Sequence, residues 1–247
     1  MSKVGTLAWA RKTGGKLRPM DHVALAKQFV TVRLANERRR KGDVVTFDPA
    51  DIRTPDTEVA RRAAAVCERL SEPWLVNHAY RAYFWGAYLA RASAVPYDEE
   101  LLFASCILHD LGLTETCKPP RDDLHCFGVI GARRAVQEMA DSGWDAPRLE
   151  AMEEAVVLHL NINVPISDGV EAHLLHEGTI LDVVGARHDE LSKGYLTEVL
   201  ERFPRASLKE GILSCVHYEA ATRPESRIAY LVNNGFEEMV QGSAFEE

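Results

Sequence analysis

Apolar residues recur at three- and four-residue spacing along almost the whole chain, as in Val59, Ala63, Val66 and Leu70. No stretch alternates apolar and polar residues for long enough to make a convincing half-buried strand. A chain patterned this way hides its apolar stripes by packing helix on helix, so the sequence predicts an all-α fold of about nine or ten helices. Asp21 reads as an N-cap, and the helix after it runs to Arg38-Arg39-Arg40-Lys41 and stops at Gly42. That basic run reads as cations complementing a helix C-terminus, with a phosphate patch as the alternative. Val44-Val45-Thr46-Phe47 is the one extended candidate. Thr54-Pro55-Asp56 starts the next helix with Pro at its first position. A long helix over about 75–93 follows Ser71-Glu72-Pro73, and Pro96-Tyr97-Asp98 breaks it. The next is expected over 98–111, ending at Gly112, with a loop from Thr114 to Asp123. Further helices are expected near 126–142, 147–160, 169–186, 195–202, 207–221 and 225–233. The reading is a single helical domain over 56–235, with a short helical N-terminal extension (1–55) and a C-terminal tail (236–247).

At 247 residues the chain can bury roughly 70–75% of its unfolded surface. It therefore needs neither disulfide nor structural metal to hold a core. Its purely apolar runs are only a few residues long, as in Ala155-Val156-Val157-Leu158, whereas a membrane span needs about 20. A net charge of −8 repels phosphate backbones, which argues against nucleic acid as a partner. The five cysteines form no CxxC pair, and the first residues do not read as a secretory leader. A cytoplasmic protein with reduced thiols is expected, acting on a small molecule, with a homo-oligomer as the default assembly.

The sharpest chemical signal is His109-Asp110, at the end of the apolar stretch Leu101–Leu108. Burying a carboxylate there is costly unless it is paired or binds a cation. Adjacent residues on a helix point about 100° apart, so further ligands must come from other helices. His78, early in the preceding helix, and Asp182, stranded in Gly178-Thr179-Ile180-Leu181-Asp182-Val183, meet that demand. His78, His109, Asp110 and Asp182 make an N/O donor set suited to one divalent ion: Zn²⁺ or Fe²⁺ first, then Mn²⁺, Co²⁺ or Ni²⁺. His173 and His176 sit one turn apart, but a helical wheel points both away from Asp182, so they read as surface residues.

The order His78…His109-Asp110…Asp182 on an all-α chain resembles the HD-domain superfamily of metal-dependent phosphohydrolases. From His78 to about Pro224 the chain is similar to the cyanamide hydratase-like branch. The segments that carry the likeness are His78-Ala79-Tyr80-Arg81-Ala82-Tyr83-Phe84-Trp85-Gly86, Leu108-His109-Asp110-Leu111-Gly112, Phe127-Gly128-Val129-Ile130-Gly131-Ala132, Leu158-His159 and Arg202-Phe203-Pro204-Arg205. The resemblance implies an HD-type helical domain. It also implies an enzyme that adds a metal-activated water to a small nitrile-like or C–N substrate, as in cyanamide to urea. Bimetallic members add two histidines between the HD pair and the last Asp. Phe127 stands where the first would fall, with His125 in a different register, which favours a single metal. After His159 the branch tends to carry Gln-Asp, whereas this chain has Leu160-Asn161-Ile162-Asn163.

A divalent metal with an open position lowers the pKa of a bound water towards ~7. His159 suits a proton donor to the leaving atom, and Glu115 a partner of the water or of a ligand histidine. Arg81 lies one turn from His78 and suits either Asp110 or a substrate; Trp85 and Asn163 complete the substrate-binding candidates. Three alternatives stand beside the hydratase: a phosphohydrolase acting on a nucleotide or small phosphomonoester, a di-iron oxygenase, and an inactive binding module. A phosphatase pocket should gather several Lys or Arg, and the ligand-bearing segments offer only Arg81.

Overall fold

Several helices in this chain, α1, α3, α5, α7, α9 and α11 as numbered below, start at a side chain that accepts one of the first unpaired backbone N–H groups. The computed structural model describes residues 2–38, 44 and 48–246. In chain order its helices are α1 (Leu7–Thr13), α2 (Pro19–Arg38), α3 (Glu58–Leu70), α4 (Pro73–Ala92), α5 (Glu99–Leu108), α6 (Phe127–Met139), α7 (Ala146–Leu158), α8 (Val170–Val184), α9 (Lys193–Arg202), α10 (Leu208–Thr222), α11 (Arg227–Val232) and α12 (Phe236–Gln241). Among the described residues there is no strand, and the fold is all-α. No described helix is long and apolar enough to cross a membrane.

Asp98 caps α5, where the sequence predicts a helix start; Asp145 caps α7, and α4 begins at Pro73 rather than near 75. Three further boundaries differ. α3 is capped by Thr57, whose hydroxyl accepts from the Ala60 N–H, rather than by the earlier Thr54-Pro55 signal. Asp21 lies inside the first turn of α2 and reaches back to accept from the Arg18 N–H at 2.9 Å and from the Trp9 indole at 3.1 Å. The helix expected over 98–111 ends at Leu108, so His109 and Asp110 sit in the turn between α5 and a single 3₁₀ turn, Leu111–Leu113. α1 and α12, of 7 and 6 residues, escaped the sequence reading. The extended candidate Val44–Phe47 lies outside the described residues apart from Val44, as does the end of the basic run beyond Arg38.

α4 is buried almost all round and crosses α8 over the most extensive helix–helix interface in the molecule. The crossing depends on small residues. A Cβ added at Gly178 would lie 2.1 Å from the Ala82 carbonyl oxygen, and one at Gly86 would lie 2.7 Å from that of Leu174. This close approach brings Asp182 of α8 beside His78 of α4. A second tight contact seats α6 on the turn that follows Asp110, where a Cβ on Gly112 would lie 2.1 Å from the Phe127 carbonyl. Residues from both chain ends belong to the same body. Trp9, Leu7 and Leu25 join the main apolar core, and Val240 of α12 packs with Val183 and Val216 in a smaller cluster.

Candidate metal centre

Three helix ends or faces converge at one buried point: His78 from α4, His109-Asp110 from the end of α5, and His159 from the end of α7. His78 and His109 are fully buried, and Asp110 and His159 nearly so. Each imidazole is fixed through Nδ1. That of His78 donates to Asp182 Oδ2 at 2.7 Å, that of His109 to the Cys106 carbonyl at 2.7 Å, and that of His159 to the Val156 carbonyl. In its neutral form each ring therefore keeps its Nε2 lone pair free. All three Nε2 atoms face one carboxylate: His109 lies 3.1 Å and His78 3.6 Å from Asp110 Oδ2, and His159 lies 3.5 Å from Oδ1.

The Nε2 atoms of His78 and His109 are buried and have no hydrogen-bond partner. Buried lone pairs left unmet are costly, and native structures rarely keep them without a ligand. Among the described residues, His78, His109 and Asp110 form a group whose ligand atoms lie within 4.8 Å of one another and could hold a metal ion. Two imidazole nitrogens and a carboxylate suit a divalent ion of the Zn²⁺ or Fe²⁺ type. Burial opposes ionisation of Asp110, but the facing His109 and His159 outweigh it and hold the carboxyl well below the usual range. Burial likewise opposes protonation of His109, yet the Asp110 charge raises its pKa. Desolvation wins at His78, whose pKa is lowered, and at His159, which is pushed down to about 4.

Asp182 has a different place from the one expected. Its carboxylate lies behind His78 and is already engaged on every side. It accepts from Arg81 Nε at 2.7 Å and Nη2 at 2.9 Å, from Trp85 Nε1 at 2.9 Å and from His78 Nδ1. Arg205 Nη1 stands 3.6 Å away and donates to the Asp182 carbonyl at 2.8 Å. Against the cost of burial, the Arg81 charge and these donors hold its carboxyl far below the usual range. Asp182 thus orients a ring that could bind metal, the arrangement that raises the basicity of ligand histidines. The same bonds correct the expectations for Arg81 and Trp85. Both are fully buried, and their polar atoms serve Asp182 and, for Arg81, the Phe203 and Pro204 carbonyls; neither lines the cavity described below.

Glu115 also lies away from the centre, with its side chain 76% exposed and paired with Lys118 Nζ at 2.6 Å. His125 is held by Asp123 at 2.6 Å, outside the cavity. His176 is buried rather than on the surface, donating from Nδ1 to the His159 carbonyl at 3.0 Å, while His173 is half-buried.

A cavity of about 80 Å³ opens on the centre, with His78, Asp110 and His159 in its wall. Phe127 lines it too. Asn163 is not among its lining residues; Asn161 is, with Oδ1 accepting from Arg227 at 2.9 Å. Sequence reasoning also missed Thr179, whose buried hydroxyl lines the cavity without a hydrogen-bond partner. Its position one helical turn before Asp182, in an otherwise apolar run, was the available signal.

The fold and site define an all-α protein with a buried histidine–aspartate group able to hold a metal. Over 202 residues the chain is 23% identical to cyanamide hydratase DDI2 of Saccharomyces cerevisiae, and equally to cyanamide hydratase DDI3 of the same yeast. The match covers 80% of this chain and 89% of each relative. No family model matches the chain.

Proposed function

We propose that this protein is a metal-dependent hydratase of the HD-domain type, adding water to the carbon of a small C–N substrate such as cyanamide. The observation that carries the reading is the convergence of three imidazole Nε2 lone pairs on Asp110 in the wall of a cavity of about 80 Å³. His78, His109 and Asp110 would hold a divalent ion, which when bound would supply a water acidified towards ~7 and positive charge at the reacting point. Similarity to two yeast cyanamide hydratases supports the same chemistry.

The chain's own residues supply the rest. His159, kept neutral by burial, holds its Nε2 as a proton acceptor beside Asp110. The expected donor role is thus preceded by an acceptor role: the first proton to move is the one His159 takes from the attacking water. As the oxygen–carbon bond forms, one C≡N π bond breaks and its nitrogen takes up the proton returned by His159, with the unpaired Thr179 hydroxyl, also in the cavity wall, as a hydrogen-bond partner. Among the described residues lining the cavity none is Lys or Arg, which supports a small neutral substrate over a phosphoester.

The test is urea formation from cyanamide by protein loaded separately with Zn²⁺, Fe²⁺ and Mn²⁺. Turnover proportional to bound metal is expected. Hydrolysis of p-nitrophenyl phosphate or nucleotides with no urea under any loading would overturn the hydratase reading.

A further inference from the structure

The cavity at the metal centre is not isolated. A second cavity of about 560 Å³ shares five of its wall residues, Asn161, Ile180, Val184, Leu231 and Phe236. Beyond that shared wall the larger space is lined by Phe29 and Val32 of α2 and by Ile162 and Met239. Its wall is mostly apolar, and its polar residues are Arg33, Asn161 and His176. Asn161 is held by Arg227, and the buried His176 donates from Nδ1 to the His159 carbonyl. Cyanamide has only three heavy atoms and needs no more than the inner cavity. A mostly apolar space several times larger, sharing a wall with the cavity at the reacting point, gains nothing from such a substrate.

We infer that the substrate of this protein carries an apolar substituent, an alkyl or aryl group of several carbons. The substituent occupies the outer chamber while the C–N group reaches the centre formed by His78, His109 and Asp110. The inference rests on the hydratase reading for the reacting end and on the chamber's walls for the substituent. Apolar contact then supplies affinity at roughly three- to fourfold per buried methylene, and the narrow inner cavity fixes which atom meets the attacking water. The residues Ile180, Leu231 and Phe236 are common to the walls of both spaces.

Calorimetric titration of the Zn²⁺-loaded protein with N-methyl-, N-butyl- and N-hexylurea tests the chamber directly, because these mimic the products. Affinity should rise by roughly 30- to 60-fold from the methyl to the butyl compound. The gain should be lost in both Met239→Trp and Val32→Trp, which fill the chamber from two different helices. Flat affinity across the series, or a gain that survives both substitutions, would overturn the inference. Hydration of cyanamide and N-butylcyanamide by the same preparations separates the two claims. Turnover of cyanamide with flat alkylurea binding removes the substituent and leaves the hydratase. Climbing affinity with no hydration of either compound removes the hydratase reading and the substrate class together.

Discussion

The two faces of His78 meet the same residue types in opposite conditions. Behind the ring, at Nδ1, Asp182 is satisfied by Arg81, Trp85 and His78 at 2.7–2.9 Å, with Arg205 next to it. In front, at Nε2, Asp110 faces three imidazoles whose acceptor nitrogens lie 3.1–3.6 Å away, two of them with no hydrogen-bond partner. Both carboxylates are buried and both are held in the charged form. The rear network is closed, so it fixes position. The front has donor atoms to spare, so it can take up a cation. Burial and charge alone do not separate a supporting aspartate from a binding one; the tally of satisfied lone pairs does.

The comparison breaks most severely at Asp182. Replacing it with Ala strands the Arg81 guanidinium and frees the His78 ring, so Asp182→Ala should destabilise the fold by about 3–5 kcal/mol, read from urea unfolding. His159→Gln comes next. It removes a proton acceptor while leaving His78, His109 and Asp110 in place. Turnover should fall roughly 10²- to 10³-fold with bound metal unchanged. The same variant tests the acid limb of stability. Because burial lowers the His159 pKa from the ordinary 6.5 to about 4, the unfolded chain binds the proton first. Stability is therefore full above pH 6.5 and falls as the pH drops towards 4, by roughly 3 kcal/mol from this residue. The difference between wild type and His159→Gln, followed by denaturant titration across that range, should show this loss. The smallest effect belongs to Glu115→Gln. That side chain is exposed and paired with Lys118, so turnover should stay within about twofold and stability within about 0.5 kcal/mol.

What could be read from the sequence follows the same division. Helical spacing and the stop signals at Pro73 and Asp98 defined α4 and α5, because those cues act within a few residues. The short helices α1 and α12 were missed. α12 follows Asn233-Asn234-Gly235, which reads as the end of a domain, and Gly235 (φ 94°) does turn the chain there, but to start another helix. His78, His109 and Asp110 were legible together because a polar pair in an apolar run must find a partner. Which partner each buried group finds is set by the α4–α8 crossing, so the pairing of Asp182 with Arg81 and Trp85 was not legible. Neither was the burial of His176, since a helical wheel shows direction on one helix and not what covers it.

The central claim is that Asp110 binds metal and Asp182 only positions His78. The most direct test is metal per chain, by elemental analysis, in the wild type, Asp110→Asn and Asp182→Asn after identical Zn²⁺ loading. The account predicts about one equivalent in the wild type, near none in Asp110→Asn, and a full equivalent held 10- to 100-fold more weakly in Asp182→Asn. Full loss in Asp182→Asn with retention in Asp110→Asn would contradict it.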